Sequence, residues 1–214
     1  MDNINREYID IYINGLIDEE DEMLEKFRLE CRERQLPIIH REVGQFIKLM
    51  ITKMNARSII EVGTNVGYSS IFMSYVMKRE GKVVSLERNE NFYHEAIENI
   101  KRFNLEKNID VHFGDAVEIL DNISGTFDIA FIDAAKSYYT TFFDKCAKLM
   151  NSGGIIISDN VLYQGMIASD ELVVKRKKTL VRHMREYLEY ISHDQRYITS
   201  VLPLGDGLAV TFIK

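Results

Sequence analysis

Cysteine is scarce in this chain. Its 214 residues include two, Cys31 and Cys146, which have neither the spacing of a thiolate metal site nor enough partners for a disulfide framework. Both read as reduced core thiols of a cytoplasmic protein. No apolar run approaches the ~20 residues of a membrane-spanning helix, so no membrane partner is expected. The opening MDNINREYID is polar and charged, so no signal peptide is expected. Positive charge is not in excess: the formal net charge is −6, and nothing global advertises a polyanionic partner. Internal repeats, low-complexity tracts and linkers are missing as well. The five histidines, His40, His94, His112, His183 and His193, are scattered without ligand spacing, and no catalytic role falls to them. What is present is ordinary: 46% hydrophobic and 28% charged residues, a soluble globular balance. One domain over 1–214 is the economical reading, with a helical N-terminal extension over about 1–55.

The extension follows from periodicity. Tyr8, Ile9, Tyr12, Ile13 and Leu16 share one helical face, Met23, Leu24, Phe27 and Cys31 a second, and Val43, Phe46, Ile47 and Met50 a third. Pro37 ends the second helix, because proline disfavours helix in the residue before it. From residue 58 the pattern changes. Apolar runs at 58–62, 82–87, 109–113, 127–133 and 154–159 alternate with amphipathic stretches such as 89–103 and 137–150. Strands apolar on both sides imply a parallel sheet covered by helices on both faces. A long helix is expected around 170–192. Two further strand-like runs flank Gly205-Asp206-Gly207, a hairpin signal, so the sheet should close with an antiparallel pair.

In an open α/β sheet, ligands sit outside the carboxyl ends of the strands. The first strand ends in Glu61-Val-Gly63-Thr-Asn-Val-Gly67-Tyr-Ser69, where glycine permits a sharp turn and close approach to a ligand. This is not the G-x-G-x-x-G spacing of dinucleotide enzymes, whose helix N-terminus receives a pyrophosphate. Glu61, at the mouth of the turn, suits a cationic ligand better, such as S-adenosylmethionine with its ammonium and sulfonium. Glu87 ends the second strand and can accept both hydroxyls of a ribose. Asp115, in Gly114-Asp115-Ala116, can bond an adenine amino group. Each alone also reads as loop chemistry: a turn, a solvated acid, a helix N-cap. Their succession at three strand ends favours a site.

The fourth and fifth strands end in Asp133 and in Asp159-Asn160, on the same edge. Two carboxylates and a carboxamide offer hard oxygen ligands for Mg²⁺ (or Mn²⁺), and no Cys or His joins them to suggest zinc. The plainer reading is polar helix caps. Lys136, three residues past Asp133, reads as a general base, its pKa lowered in a cleft beside a cation, or as a solvated lysine. Lys175, Arg176, Lys177 and Lys178, followed by Arg182 and Arg185, form a basic run on the lip of the expected site. Such runs hold RNA phosphates or a coenzyme A phosphate, or are simply solvated helix faces. Tyr163 offers a ring to a base or a catechol, or packs inward.

EVGTNVGYS, the strand-end Glu87, GDA, FIDAAK, SDN and PLGDGLAV, in that order, resemble the cation-dependent class I O-methyltransferases, the family of catechol and caffeoyl-CoA O-methyltransferases. The likeness runs from LPII (36–39) to the end. It implies a Rossmann-like fold with a mostly parallel seven-stranded sheet, a C-terminal antiparallel hairpin and helices on both faces. It implies S-adenosylmethionine held by Ile39, Glu61, Gly63, Ser69, Glu87, Asp115, Ala116 and Asp133. It also implies Mg²⁺ on Asp133, Asp159 and Asn160, Lys136 as base, and a homodimer through the N-terminal helices. Within the family, LPI, ERNE (87–90), NIKRF (99–103), DNVLYQG (159–165) and the basic start of the long helix most resemble the bacterial tRNA 5-hydroxyuridine methyltransferases. The expected acceptor is thus the wobble 5-hydroxyuridine of a tRNA anticodon loop, which would become 5-methoxyuridine. The alternative is a small catechol or caffeoyl-CoA-like vicinal diol. A nicotinamide-dependent dehydrogenase on the same kind of sheet is the distant rival, and it has no need of Asp133, Asp159 and Asn160 together.

Overall fold

A computed structural model describes residues 4–18 and 21–214; the first three residues of the polar opening lie outside them. Among the described residues, seven strands form one sheet in the order β3-β2-β1-β4-β5-β7-β6. They are β1 Ser58–Val62, β2 Lys82–Glu87, β3 Ile109–Phe113, β4 Phe127–Ile132, β5 Met150–Ser158, β6 Tyr197–Leu202 and β7 Leu208–Ile213. β1 to β5 pair in parallel. β7 lies antiparallel between β5 and β6, so the expected hairpin closes one edge.

Side chains alternate across each strand, and the two sets build two cores. Ile59, Ile129, Phe131 and Ile157 face α2 (Glu22–Glu33), α3 (Arg41–Met54) and α4 (Tyr68–Val76). Ile60, Val62, Ile132 and Ile156 face α6 (Ala116–Asn122), α7 (Tyr139–Lys148) and α8 (Lys178–His193). α5 (Glu90–Arg102) packs beside β3 through Ile100. The N-terminal helices therefore belong to the body of the fold, because Leu24, Phe27, Val43 and Ile47 share the first core. α1 (Glu7–Gly15) is the exception. Tyr8, Ile9 and Tyr12 of its expected apolar stripe, and Leu16 just beyond its end, are exposed, Tyr12 at 69%.

Two further expectations need correction. β5 begins at Met150 rather than 154, because the β4–β5 register shifts between Phe127 and Ile129 and lets Met150 pair with Phe127. The long helix starts at Lys178 rather than near 170. Asp170–Leu172 and Lys175–Lys177 are separate 3-10 turns. Positive side chains oppose the positive end of a helix dipole, and the β-branched pair Val173-Val174 weakens helix there. Three of the four residues of the basic run therefore precede the helix.

Strand order reverses at β1 and β4, which opens a crevice at their carboxyl ends. The two strands meet closely there. The Asp133 amide donates to the Val62 carbonyl at 2.9 Å. Gly63 has φ +109°, and a Cβ on it would lie 2.1 Å from the Asp133 carbonyl oxygen. Glycine is required at that point for both conformation and space.

Candidate active site

A cavity of about 480 Å³ occupies the crevice, with Gly63, Ser69, Glu87, Asp115, Ala116 and Asp133 on its wall. Glu87 is rigidly presented. Its two carboxylate oxygens accept the backbone N–H groups of Asn65 and Asn89, each at 2.7 Å. Asp115 accepts the Val117 amide at 2.8 Å and caps α6, so the cap and the cavity wall are the same side chain. The rings of Phe92, Tyr138 and Phe142 also line this space. They were missed in the sequence because an aromatic on an amphipathic helix reads as core.

Glu61 is placed differently from expectation. It does not stand at the mouth of the turn but is fully buried, because β1 alternation aims it at α4 beneath the glycine loop. Its carboxylate accepts the hydroxyls of Ser69, Ser70 and Ser85. It reaches the cavity through Ser69, which lines the wall. Burial pushes its carboxyl up to about 7, against the three serine hydroxyls that pull it down.

A second cavity, about 490 Å³, adjoins the first. Ile39 and Asp133 line both, so Asp133 stands at the junction. Lys136, Asp159, Asn160, Tyr163 and Asp206 complete this side. Asp159 is 1% exposed. Burial pushes its carboxyl well up, and neighbouring Asp133 adds to the push. Burial raises Asp133 too, opposed by the charges of Lys136 and His40. The Lys136 ammonium donates to the Asn160 carboxamide oxygen at 3.3 Å.

Among the described residues no three His, Cys, Asp or Glu side chains cluster as a metal site. The group here is two acids and an amide. Two mutually repelling, desolvated carboxylates beside a carboxamide oxygen nevertheless fit a hard divalent cation, which would relieve both burial and repulsion.

The segment that carries Asn160 and Tyr163 is held under backbone strain. Asn160, Tyr163 and Gln164 have φ of 55°, 46° and 58°, conformations that cost non-glycine residues of order 1–3 kcal/mol each. The β6–β7 turn holds it in place. Val161 and Leu162 donate to the carbonyls of Gly207 and Asp206 at 2.9 and 3.0 Å, and the Gln164 amide donates to the Asp206 carboxylate. Asp206 read in the sequence only as a turn residue. His40, given no role, lines the second cavity beside Arg28 and Arg32 of α2. No local signal marked these three, since their placement depends on α2 folding over the sheet edge.

The basic run is dispersed. Lys175, Arg176 and Lys178 are exposed and line neither cavity. Lys177 lies over the Tyr163 ring at 4.5 Å.

The O-methyltransferase family model matches residues 16–213. The chain belongs to the O-methyltransferase family. It is 32% identical to the catechol O-methyltransferase of Niastella koreensis over the full length of both proteins. The O-methyltransferase of Bacillus cereus, solved with SAH, superposes with a TM-score of 0.83 at 29% identity, covering 97% of each chain. TomG of Streptomyces achromogenes, an O-methyltransferase of tomaymycin synthesis solved with SAM, superposes at 0.82 with 25% identity, over 97% of this chain and 96% of that one. Family membership removes the dehydrogenase reading.

The buried state of Glu61 in this O-methyltransferase has a consequence for stability. Its folded pKa lies above the 4.5 of an unperturbed glutamate. The folded state therefore binds the extra proton, and stability is lost as pH rises from about 4.5 through about 7. A shift of that size amounts to roughly 3 kcal/mol. The amide in Glu61→Gln does not titrate. In urea melts of the ligand-free protein, wild type should lose roughly that much relative to the variant between pH 5 and pH 8. A stability difference that stays constant with pH would refute this.

Proposed function

We propose that this O-methyltransferase takes its methyl group from S-adenosylmethionine. With Mg²⁺ or Mn²⁺ held by Asp133, Asp159 and Asn160, it methylates one of two adjacent oxygens on a small catechol-like acceptor. The observation that carries this reading is Asp133 at the junction of the two cavities, with the oxygen donors on one side and Glu87 on the other. The relatives named for catechol methylation and for bound SAM or SAH support the same assignment.

Glu87, fixed by two amides, turns its remaining lone pairs to the ribose hydroxyls. Asp115 and Ala116 hold the adenine end. Ile39, Gly63, Ser69 and Asp133 enclose the methionine end, with Glu61 orienting Ser69. A bound divalent cation supplies acidity to a coordinated acceptor hydroxyl. Lys136, in its neutral amine form, would accept the proton released there. The adjoining cavities would bring acceptor oxygen and methyl together, and such positioning supplies much of the rate. Replacing Glu87 by Ala should remove charge-assisted hydrogen bonds, weakening SAH binding by about 1.5–3 kcal/mol. Calorimetry with SAH checks this, and unchanged affinity would refute the ribose assignment.

The basic run favours a second reading. Lys177 over Tyr163, with three exposed cations beside it, suits a stacked base flanked by phosphates. The 5-hydroxyl and O4 of a wobble 5-hydroxyuridine in tRNA form an oxygen pair like that of a catechol. Labelled S-adenosylmethionine with Mg²⁺, offered to a catechol panel and to tRNA carrying 5-hydroxyuridine, separates the two. Methylation of catechols alone supports the first reading. Methylation of the tRNA, with a salt dependence that flattens when Lys175, Arg176, Lys177 and Lys178 are neutralised, supports the second. Excess EDTA should abolish either activity, and full turnover in EDTA would overturn the metal assignment.

Two wider features belong to this reading. The buried free thiols Cys31 and Cys146 support a reducing, cytoplasmic setting. The outward apolar face of α1 supports a homodimer. Sedimentation should give twice the chain mass, with Tyr12→Lys shifting it towards monomer; a monomeric wild type would refute pairing.

A further inference from the structure

The lining of the second cavity includes arginines as well as acids. Arg28 and Arg32 stand four residues apart on α2, one turn of one helix face, and both line the cavity. Arg28 is 7% exposed, yet among the described residues it makes no ion pair. Its Nη1 donates to the Ile39 carbonyl and the Tyr68 hydroxyl, both at a long 3.4 Å. The buried Nε has no hydrogen-bond partner. The Tyr68 ring, 5.9 Å away, is its remaining neighbour of note. Glu25 borders the small void that Arg28 also lines; its Oε1 lies 3.8 Å from Arg41, its buried Oε2 has no hydrogen-bond partner, and neither oxygen is within ion-pairing distance of Arg28. The Arg32 side chain, more exposed, has no hydrogen bond or ion pair among the described residues.

A buried guanidinium with a free N–H carries a large desolvation cost that an anion would relieve. The planar fork of arginine pairs well with carboxylate and phosphate oxygens. Asp133, Asp159 and Asp206 line the same cavity, and carboxylates repel an anion. The cavity thus carries both acids and arginines, which favour different parts of a ligand.

We propose that Arg28 and Arg32 bind an acidic group of the acceptor, a carboxylate or a phosphate monoester, while its paired oxygens face Asp133, Asp159 and Asn160. This deepens the function proposed above and rests on it. Acceptors that carry such a group are preferred over neutral ones of the same ring.

Two matched pairs test this: 3,4-dihydroxybenzoate against catechol, and 5-hydroxyuridine 5′-monophosphate against 5-hydroxyuridine. Each is assayed for kcat/KM, and for affinity by calorimetry with SAH and Mg²⁺ present. The acidic member of at least one pair should be favoured about tenfold or more. Preference confined to the first pair identifies a carboxylate, and preference confined to the second a phosphate. Arg32→Gln, on an exposed side chain that folding does not require, should bring the ratio to within about threefold of unity. Arg28→Lys, which keeps the charge and loses the fork, should lower it part of the way. Equal values within both pairs, or a ratio that Arg32→Gln leaves intact, would overturn the inference. Absence of turnover with all four compounds would count against the proposed function instead, and the calorimetric ratio would still decide this one.

Discussion

The contact between Gly63 and the Asp133 carbonyl is the constraint on which the rest of the site depends. β1 and β4 are neighbours at the point where strand order reverses, and their ends must approach within the space a side chain would fill. That approach lets the Asp133 amide bond Val62 and carries the Asp133 side chain to the boundary between two cavities. Ser69, Glu87 and Asp115 then fall on one side and Lys136, Asp159 and Asn160 on the other. A wider separation of the two strands would leave two unrelated pockets.

Charge is distributed around this contact with unusual economy. Three acids, Glu61, Asp133 and Asp159, are enclosed near one sheet edge, and burial raises the proton affinity of all three. They are accommodated in different ways. Glu61 is wrapped by serine hydroxyls in the core and acts as a support for Ser69. Asp133 and Asp159 face a cavity, where the charge of Lys136 opposes the effect of burial on both. The first arrangement is closed and structural. The second leaves charge uncompensated, as a binding site does. Across the same cavity Arg28 presents the opposite imbalance, and the segment of Asn160 and Tyr163 is strained between them. Local energy is given up on all three sides of one space, which is where a protein holds its chemistry.

Much of this was legible in the sequence. Strands β1, β2 and β3 ran over the residues expected, because apolar runs of five or six bounded by polar turns have few other readings. Parallel topology then sends every strand-end loop to one edge, so Glu87, Asp115, Asp133, Asp159 and Asn160 could be grouped without coordinates. The reading went astray where a residue's direction matters more than its position. Glu61 lies at the expected strand end but on the core face. The basic run was taken for a helix start, and the charge that made it conspicuous also opposed the helix.

What the sequence determined by itself was periodicity and order: which segments are strands, which are helices, and which acids follow which strand. These are properties of neighbours along the chain, set by backbone geometry and side-chain alternation. What only the tertiary structure decided was which distant residues complete the site. Arg28 and Arg32 come from α2, His40 from the residue before α3, and Asp206 from the last turn. They meet Asp133 because α2 and α3 pack on the first core and the β6–β7 turn is hydrogen-bonded to the segment after β5. Long-range packing of this kind leaves no spacing in the chain, since the free energy that closes it comes from buried apolar surface elsewhere in the fold.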